Sequence, residues 1–333
     1  MTFEPPDHAH TAATANLLRY LASQHYRFIT PTPLTHQRVQ DRRAQLSSEN
    51  AHCHQLDLRD VFGWNLPFNK RLLDPLLCEL MAEAGALLAD ELDVPWQSQL
   101  RVASLGNDLF AHSAFPTVQS DAVFFGPDTY RFARFITQTL ETVGPACQGH
   151  APLRLLDIGC GTGAGGVVAV RALGHPAILT LNDINPKALH YAVANVGVAE
   201  ITTHWLPGNA MTEVTGQYDV IIANPPYLDD DQQRAYRHGG ARLGRDLSLR
   251  MAAAALAHLA PGGRLLLYTG VAIVDGRDPF LAELGALFNG FKGRWTYSEI
   301  DPDVFGEELA RPVYADIDRI AAVGLVATRR ETA

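Results

Sequence analysis

The sequence predicts an α/β fold with two parts: a mainly helical N-terminal domain with short β segments, residues 1–120, and a larger domain, residues 121–333, built on a mostly parallel sheet. After residue 152, short apolar runs alternate with helical stretches, a pattern typical of parallel strands joined by crossover helices that cover both faces of a sheet. Before residue 100, apolar residues recur mainly at helical spacing. The chain has 333 residues, 47% hydrophobic and 19% charged, which is enough for one large or two ordinary domains.

Two helices and a small β element are predicted in the first domain. Leu17, Leu18 and Leu21 lie at helical spacing, and so do the apolar residues between Leu72 and Met81. The segments RVASL, DLFAHSAF and DAVFF, between residues 100 and 125, are separated by turn-forming residues and predict a hairpin or short sheet.

The second domain contains six apolar runs that predict strands. They are LRLLDIG (153–159), AILTLND (177–183), THWLPG (203–208), YDVIIAN (218–224), RLLLYTG (264–270) and IAAVGLVATR (320–329). Helical stretches lie between most of them: GVVAVRALG, PKALHYAVANV, LSLRMAAAALAHLA and PFLAELGALF. Ligands of such sheets bind at the carboxyl ends of the strands, near the switch in strand order.

A glycine-rich loop follows the first of these strands. Gly159, Gly161 and Gly163 would let the backbone turn tightly and approach a ligand, and the next helix offers free N–H groups. The segment GTGAGG also fits the GxGxxG pattern of dinucleotide-binding enzymes, so the loop alone leaves an NAD-dependent oxidoreductase open. Asp157 favours a cationic ligand, because a carboxylate at this position would repel the pyrophosphate of NAD and attract an ammonium group.

The second strand of the domain ends on another acidic residue. Asp183 is placed to accept hydrogen bonds from both hydroxyls of a ribose, and Ile184 could pack on an adenine ring. The alternative is that Asp183 acts as an N-cap before Pro186 and the following helix.

The fourth strand ends on Asn224-Pro225-Pro226-Tyr227. Two consecutive prolines remove two backbone donors and fix two φ angles, which leaves a stiff corner with its carbonyl oxygens unpaired. An amide side chain and an aromatic ring stand beside these carbonyls. Together they could bind a flat group that carries an NH2.

The motifs LLDIGCGTGAGG, LNDINPKAL, LPGNAM and IIANPPY, in this order and spacing, resemble those of class I S-adenosylmethionine-dependent methyltransferases. NPPY resembles the branch that methylates planar amino groups, which includes HemK/PrmC-type glutamine N5-methyltransferases and RsmC-type rRNA guanine N2-methyltransferases. The resemblance covers roughly residues 120–330. It implies a Rossmann-like sheet of seven strands, with S-adenosylmethionine as cofactor and S-adenosylhomocysteine as product.

The resemblance also implies roles for individual residues. Asp157, Gly159, Gly161 and Gly163 would line the methionine end of the cofactor, while Asp183, Ile184, Asn209 and Ala210 would surround its ribose and adenine. Asn209 stands where the family usually has an aspartate, and an amide oxygen can accept the same hydrogen bond.

At the acceptor, Asn224 and Pro225 would hold the nitrogen, and Pro226 and Tyr227 would contact the planar group. Upstream, VFFGPDTYRFARF resembles a segment that closes over the cofactor, which would bring Phe125, Pro127 and Asp128 near it. The alternative is an ordinary helix start with Asp128 in the first turn.

The predicted activity is methyl transfer to a planar amino or amide nitrogen, with glutamine N5 of a protein such as a release factor as the first choice. Guanine N2 or adenine N6 of RNA or DNA, or a small molecule, are the alternatives. Gly244-Arg245-Asp246-Leu247-Ser248 matches only part of the GxDGL element of the HemK group. Several arginines follow NPPY, and they could face phosphate or an acidic peptide, or pair with the acidic residues at 229–231.

Composition limits the other classes. A net charge of −9 argues against affinity that depends on wrapping a long phosphate backbone. The four cysteines form no CxxC, and His52-Cys53-His54 lacks a second ligand pair, so neither a metal nor a disulfide framework is predicted. The sequence shows no secretory signal or membrane span and predicts a cytoplasmic location. It leaves the oligomeric state open.

Overall fold

The computed structural model describes residues 8–49, 57–87, 95–143 and 151–331. The α-helices are α1 His8–Ser23, α2 Pro33–Glu49, α3 Leu58–Phe62, α4 Pro75–Glu83, α5 Pro127–Val143, α6 Ala164–Leu173, α7 Pro186–Val198, α8 Ala210–Glu213, α9 Asp246–Ala257 and α10 Pro279–Leu287. The strands are β1 Leu100–Leu105, β2 Asp108–Ser113, β3 Leu153–Ile158, β4 Ala177–Asp183, β5 Thr203–Pro207, β6 Tyr218–Ala223, β7 Leu259–Ile273, β8 Gly293–Asp301 and β9 Arg319–Arg329. Short 3-10 helices occupy Lys70–Leu72, Gly306–Ala310 and Pro312–Tyr314.

Strands β3 to β9 form one sheet of seven strands in the order β5-β4-β3-β6-β7-β9-β8. Neighbours from β5 to β7 are parallel, whereas β9 runs antiparallel to both β7 and β8. Helices cover both faces: α5, α6 and α7 pack on one, and α9 and α10 on the other. The predicted fold class is therefore confirmed.

The switch in strand order lies between β3 and β6. After β3 the chain moves outward through β4 and β5, then returns to add β6 on the other side of β3. The loops that leave the carboxyl ends of β3 and β6 therefore face each other across a crevice. The glycine loop follows β3 and Asn224–Tyr227 follow β6, so the topology alone brings the two motifs together.

One strand of the sheet has no counterpart among the predicted runs. β8 is an edge strand in which every residue is exposed or only partly buried, so it lacks the continuous apolar run of a strand covered on both faces. β7 is longer than predicted, since it begins at Leu259 and continues through Pro261-Gly262-Gly263.

The N-terminal region confirms one predicted helix and corrects two other elements. Leu17, Leu18 and Leu21 are buried in α1. The second predicted helix is shorter than its apolar run, because α4 starts at Pro75 after the N-cap Asp74. DAVFF forms no strand: within it, only Val123 exchanges backbone and side-chain hydrogen bonds with the end of β2. β1 and β2 do form the expected antiparallel hairpin.

The helical N-terminal core continues into the larger domain. Phe62, Met81 and Val102 belong to the same buried cluster as Ala188 and Tyr191 of α7. No helix among the described residues is long and apolar enough to cross a membrane.

Candidate active site

A cavity of about 670 Å³, called the central cavity below, opens at the carboxyl ends of β3, β4 and β6. Its size lies within the roughly 300–1,000 Å³ range of small-molecule sites. All but one of the predicted site residues line it: Asp157, Gly159, Gly161, Asp183, Ile184, Asn209, Ala210, Asn224, Pro225, Pro226 and Tyr227. The structure therefore gathers into one space residues that are up to 70 positions apart in the chain.

Gly163 does not line the cavity. It is the N-cap of α6, with φ +76°, and a Cβ atom at this position would lie 2.9 Å from the side chain of Val196. Its place is therefore explained by the start of α6 and its close approach to α7. By contrast, Gly159 and Gly161 have φ of +65° and +53°, and a Cβ atom on either would meet no atom within 4 Å. These two glycines form an open floor that a ligand can approach closely.

Asp157 is a buried acid at the end of β3. Asp157 is 2% exposed, and its carboxyl group accepts one hydrogen bond, from the N–H of Gly166 at 2.9 Å. Burial raises the pKa of Asp157 to about 7. Among the described residues no cation pairs with it, so a positively charged ligand in the cavity would supply the missing counter-charge.

Asp183 is held in place by the backbone around it. One carboxylate oxygen accepts from the N–H of Gly161 and the other from the N–H of Asn185, each at 2.9 Å. The N-cap of α7 is Asn185, not Asp183, so the alternative capping role for Asp183 is wrong. Burial raises the pKa of Asp183. Ile184 next to it is 63% exposed and leaves an apolar surface at the cavity wall.

The corner Asn224–Tyr227 is supported from behind by two glycines that the sequence analysis did not assign. A Cβ atom at Gly244 would lie 2.1 Å from the carbonyl oxygen of Tyr227, and one at Gly239 would lie 2.6 Å from its Cα atom. In the sequence both glycines lie in GGARLG, residues 239–244, and Gly244 also begins the partial match to the GxDGL element. The Asn224 side chain makes no hydrogen bond with any described residue, so its amide oxygen is free to accept one.

Tyr227 points into the protein. It is 6% exposed, its hydroxyl donates to Asp128, and its ring meets Phe305 edge-on with ring centroids 5.8 Å apart. Asp128 lies in the first turn of α5, as the helix-start alternative predicts, and it also lines the central cavity. Phe125 is 0% exposed and packs against Phe110 in the core, and neither Phe125 nor Pro127 lines the cavity.

The segment after the corner is attached to the N-terminal region. The hydroxyl of Tyr236 donates to the carbonyl of Thr117 at 2.8 Å, and the rings of Tyr236 and Phe124 are nearly parallel with centroids 5.9 Å apart. All three residues line the central cavity. Residues 115–118, 122–124 and 234–237 therefore form part of the cavity wall together.

The arginines near the corner are largely neutralised. Arg234 forms two hydrogen bonds with Asp230, at 3.0 and 2.5 Å, which lower the pKa of Asp230 to about 2. Arg237 pairs with Glu308. Arg250, at the cavity, has a 58% exposed side chain and lies 3.9 Å from Asp246. The alternative pairing with the acidic residues at 229–231 is therefore found for Arg234 and, at 3.5 Å from Asp230, for Arg237.

No group of three or more His, Cys, Asp or Glu side chains in the described part of the chain could hold a metal ion. His52-Cys53-His54, where the sequence predicts no metal site, lies outside the described residues.

Residues 133–272 match the family model described as Methyltransferase small domain. The release factor glutamine methyltransferase of Deinococcus radiodurans is 33% identical over 124 residues, which cover 34% of this chain and 44% of that protein. The ribosomal RNA small subunit methyltransferase C of Enterobacter sp. (strain 638) is 32% identical over 117 residues, covering 35% of this chain and 31% of that protein. The crystal structure of Trm5b from Pyrococcus abyssi is 12% identical, with a TM-score of 0.47 over 73% of this chain and 62% of that chain.

Residues 133–272, less than half of the chain, are thus similar to methyltransferases of the HemK/PrmC and RsmC types, and the predicted resemblance is confirmed. The alignments cover less than half the length of either curated relative.

Proposed function

We propose that this protein transfers a methyl group from S-adenosylmethionine to a planar amide or amino nitrogen, with a protein glutamine side chain as the acceptor. The observation that carries the proposal is the shared central cavity. The glycine floor, Asp157 and Asn224, whose side-chain oxygen accepts no hydrogen bond from any described residue, all line this one cavity.

The residues around the glycine floor fit the cofactor. Asp157 would pair with its ammonium group, Asp183 would accept from the ribose hydroxyls, and Ile184 would pack on the adenine. Asn209 and Ala210, at the start of α8, would border the adenine edge. When bound, S-adenosylmethionine supplies a methyl group already activated by its sulfonium, so the protein's task is mainly positioning.

The corner would restore the nucleophilicity of the acceptor nitrogen. The lone pair of an amide nitrogen is delocalised, which makes it a poor nucleophile. Hydrogen bonds from its two N–H groups to the Asn224 side-chain oxygen and the Pro225 carbonyl would favour tetrahedral geometry and stabilise the developing positive charge. Pro226 and Tyr227 would border the planar group. No general base is needed, because the methylated cation is acidic and loses its proton to water afterwards.

Two observations favour a protein over a nucleic acid as acceptor. Arg234 and Arg237 at the cavity are engaged by Asp230 and Glu308, so these two arginines offer little positive charge to phosphates. The net charge of −9 adds long-range repulsion of a polyanion. A guanine or adenine amino group of RNA is the second candidate, because relatives named rRNA methyltransferase are as similar as those named glutamine methyltransferase.

We further propose that residues 1–120 recognise the acceptor while residues 121–333 carry the chemistry. Pro33 and the segment 115–118 line the central cavity beside the corner, where an acceptor would enter.

The test is a methyl-transfer screen with isotopically labelled S-adenosylmethionine. Bacterial release factors, total ribosomal RNA and a small-metabolite extract serve as acceptors, and mass spectrometry locates the label. Labelled glutamine is the expected result, whereas label confined to RNA bases would move the acceptor to the second candidate. Asn224→Ala should abolish transfer and still bind S-adenosylhomocysteine in calorimetry. Binding of NAD in place of S-adenosylhomocysteine would overturn the proposal.

A further inference from the structure

We propose that Asp128 is a positioning residue for the acceptor corner, Asn224–Tyr227. Acting through Tyr227, it sets the position of the Pro225 carbonyl relative to the glycine loop after β3. This inference rests on the proposed function, since it concerns the same cavity. Nothing in the motif NPPY itself points to Asp128, which lies 99 positions earlier in the chain.

Asp128 is a buried junction of three elements. It is 7% exposed, and each carboxylate oxygen accepts a hydrogen bond from a tyrosine hydroxyl: one from Tyr227 and the other from Tyr268, at 2.8 Å. Tyr268 lies on β7 and is fully buried. Arg131, one turn further along α5, lies 3.6 Å from Asp128 and also pairs with Asp301 of β8 at 2.8 Å. The corner is thereby tied to α5 and to the centre of the sheet.

The ring of Tyr227 has little freedom. A Cβ atom at Gly270 would lie 2.1 Å from this ring, so the glycine lets the ring lie directly on β7. Phe305 meets the ring from another side, and Gly244 packs against the Tyr227 backbone. The only polar group of the side chain is bonded to Asp128. The position of Asp128 therefore determines where the end of the corner can lie.

The two prolines transmit that position to the reacting end. Because the ring of each proline fixes its φ angle, the segment from Pro225 to Tyr227 has fewer soft torsions than an ordinary turn. A displacement of Tyr227 is therefore passed to the Pro225 carbonyl. In methyl transfer, a misplacement of about 1 Å can cost about 100-fold in rate.

The same helix also contacts the cofactor side. Phe132, one turn after Asp128, lines the central cavity, and a Cβ atom at Gly165 would lie 2.7 Å from its ring. Gly165 is in the first turn of α6, directly after the glycine loop. α5 thus contacts the helix that follows the glycine loop through Phe132 and the acceptor corner through Asp128. We therefore expect this helix to fix the distance between methyl donor and acceptor.

The test compares crystal structures of the full chain with bound S-adenosylhomocysteine. In Asp128→Asn the carboxylate becomes an amide with a single acceptor oxygen, so only one of the two tyrosine hydroxyls can still donate to this side chain, while the side-chain volume is kept. We expect the Pro225 carbonyl to move by more than about 0.5 Å, the tolerance of a productive site, with the glycine floor unmoved. Tyr268→Phe is the matched control, because it removes the other hydrogen bond to Asp128 and leaves the one from Tyr227; here the carbonyl should stay in place.

Binding and turnover separate positioning from a general loss of structure. Affinity for S-adenosylhomocysteine should stay within about 2-fold of wild type in both variants. With the acceptor from the labelling screen, kcat should fall about 10- to 100-fold in Asp128→Asn. Tyr227→Phe should show the same loss of kcat. The double variant, Asp128→Asn with Tyr227→Phe, should show no further loss, because both changes act on the same hydrogen bond between Asp128 and Tyr227.

A Pro225 carbonyl that stays in place in both Asp128→Asn and Tyr227→Phe would overturn the inference, and so would additive losses in the double variant. Failure of wild-type protein to bind S-adenosylhomocysteine would instead count against the proposed function. The carbonyl position can still be compared in ligand-free crystals, so the two failures are distinguishable.

Discussion

The affinity for cofactor should depend on pH through Asp157. Burial raises the pKa of this carboxyl group to about 7, so near neutrality the ligand-free protein is a mixture of protonated and ionised Asp157. An ammonium group binds the ionised form, and its charge lowers the pKa of Asp157 in the complex. Binding therefore releases a proton, and affinity rises as pH rises towards 7.

The magnitude follows from the fraction of ionised Asp157. With a pKa of about 7, this fraction is about 3% at pH 5.5 and about 50% at pH 7, so the dissociation constant should fall about 16-fold over this interval. Above pH 7.5 the trend should flatten, because Asp157 is then largely ionised in the ligand-free protein.

The assay is isothermal titration calorimetry with S-adenosylhomocysteine, which carries the same ammonium group. At pH 6, titrations in buffers with different ionisation enthalpies should show release of close to one proton per ligand bound. Asp157→Asn should bind more weakly and lose the pH dependence. A slope that persists unchanged in Asp157→Asn would assign the proton to another group and refute the role of Asp157.

Three further predictions concern the corner, the N-terminal core and acid stability. Gly244→Ala should abolish methyl transfer, because its Cβ atom would lie 2.1 Å from the Tyr227 carbonyl oxygen. Gly276→Ala is the control: Gly276 also has a positive φ, but its Cβ atom would meet no atom within 4 Å. This variant should lose only about 1–2 kcal/mol of stability and keep full activity. Leu17→Ala should lower the free energy of unfolding by about 2–5 kcal/mol in urea denaturation, because the side chain is fully buried; Leu72→Ala, 58% exposed, should change it by less than about 0.5 kcal/mol. Burial and the nearby Arg101 lower the pKa of His36 to about 4, so below pH 6.5 the unfolded chain takes up a proton that the folded chain does not. Between pH 7.5 and pH 4.5 the free energy of unfolding of the wild type should therefore fall by about 2–3 kcal/mol more than that of His36→Gln. Equal losses in the two proteins would contradict this prediction.

The sequence predicts best what depends on local pattern. Strands β3, β4 and β6 were found within one residue of their ends, because strands covered on both faces need continuous apolar runs. The switch-point rule then placed the glycine loop and the corner at one crevice without any distance information. The edge strand β8 was missed because it is not covered on both faces and therefore has no continuous apolar run.

Roles that depend on tertiary contact were beyond the sequence pattern. Gly163 looked like its neighbours in the glycine loop, and only the approach of Val196 shows that it serves helix packing. The bond between Asp128 and Tyr227 joins residues 99 positions apart and belongs to no spacing rule. Whether Tyr227 also stacks on the acceptor stays a prediction, and its 6% exposure limits the area available for stacking.

Asn195 connects the region proposed to recognise the acceptor with the region proposed to carry the chemistry. This amide on α7 is 1% exposed; it donates to the carbonyls of Ala111 in β2 and Thr162 in the glycine loop, at 3.1 and 2.9 Å, and accepts from the N–H of Ala111 at 2.9 Å. A buried amide held by three hydrogen bonds is costly to disturb, because each broken bond leaves an unsatisfied group in the core. The N-terminal hairpin is therefore fixed directly to the loop that would bind the cofactor. The predicted boundary after residue 120 thus divides proposed roles, while the hydrophobic core and this hydrogen-bonded bridge join the two regions physically.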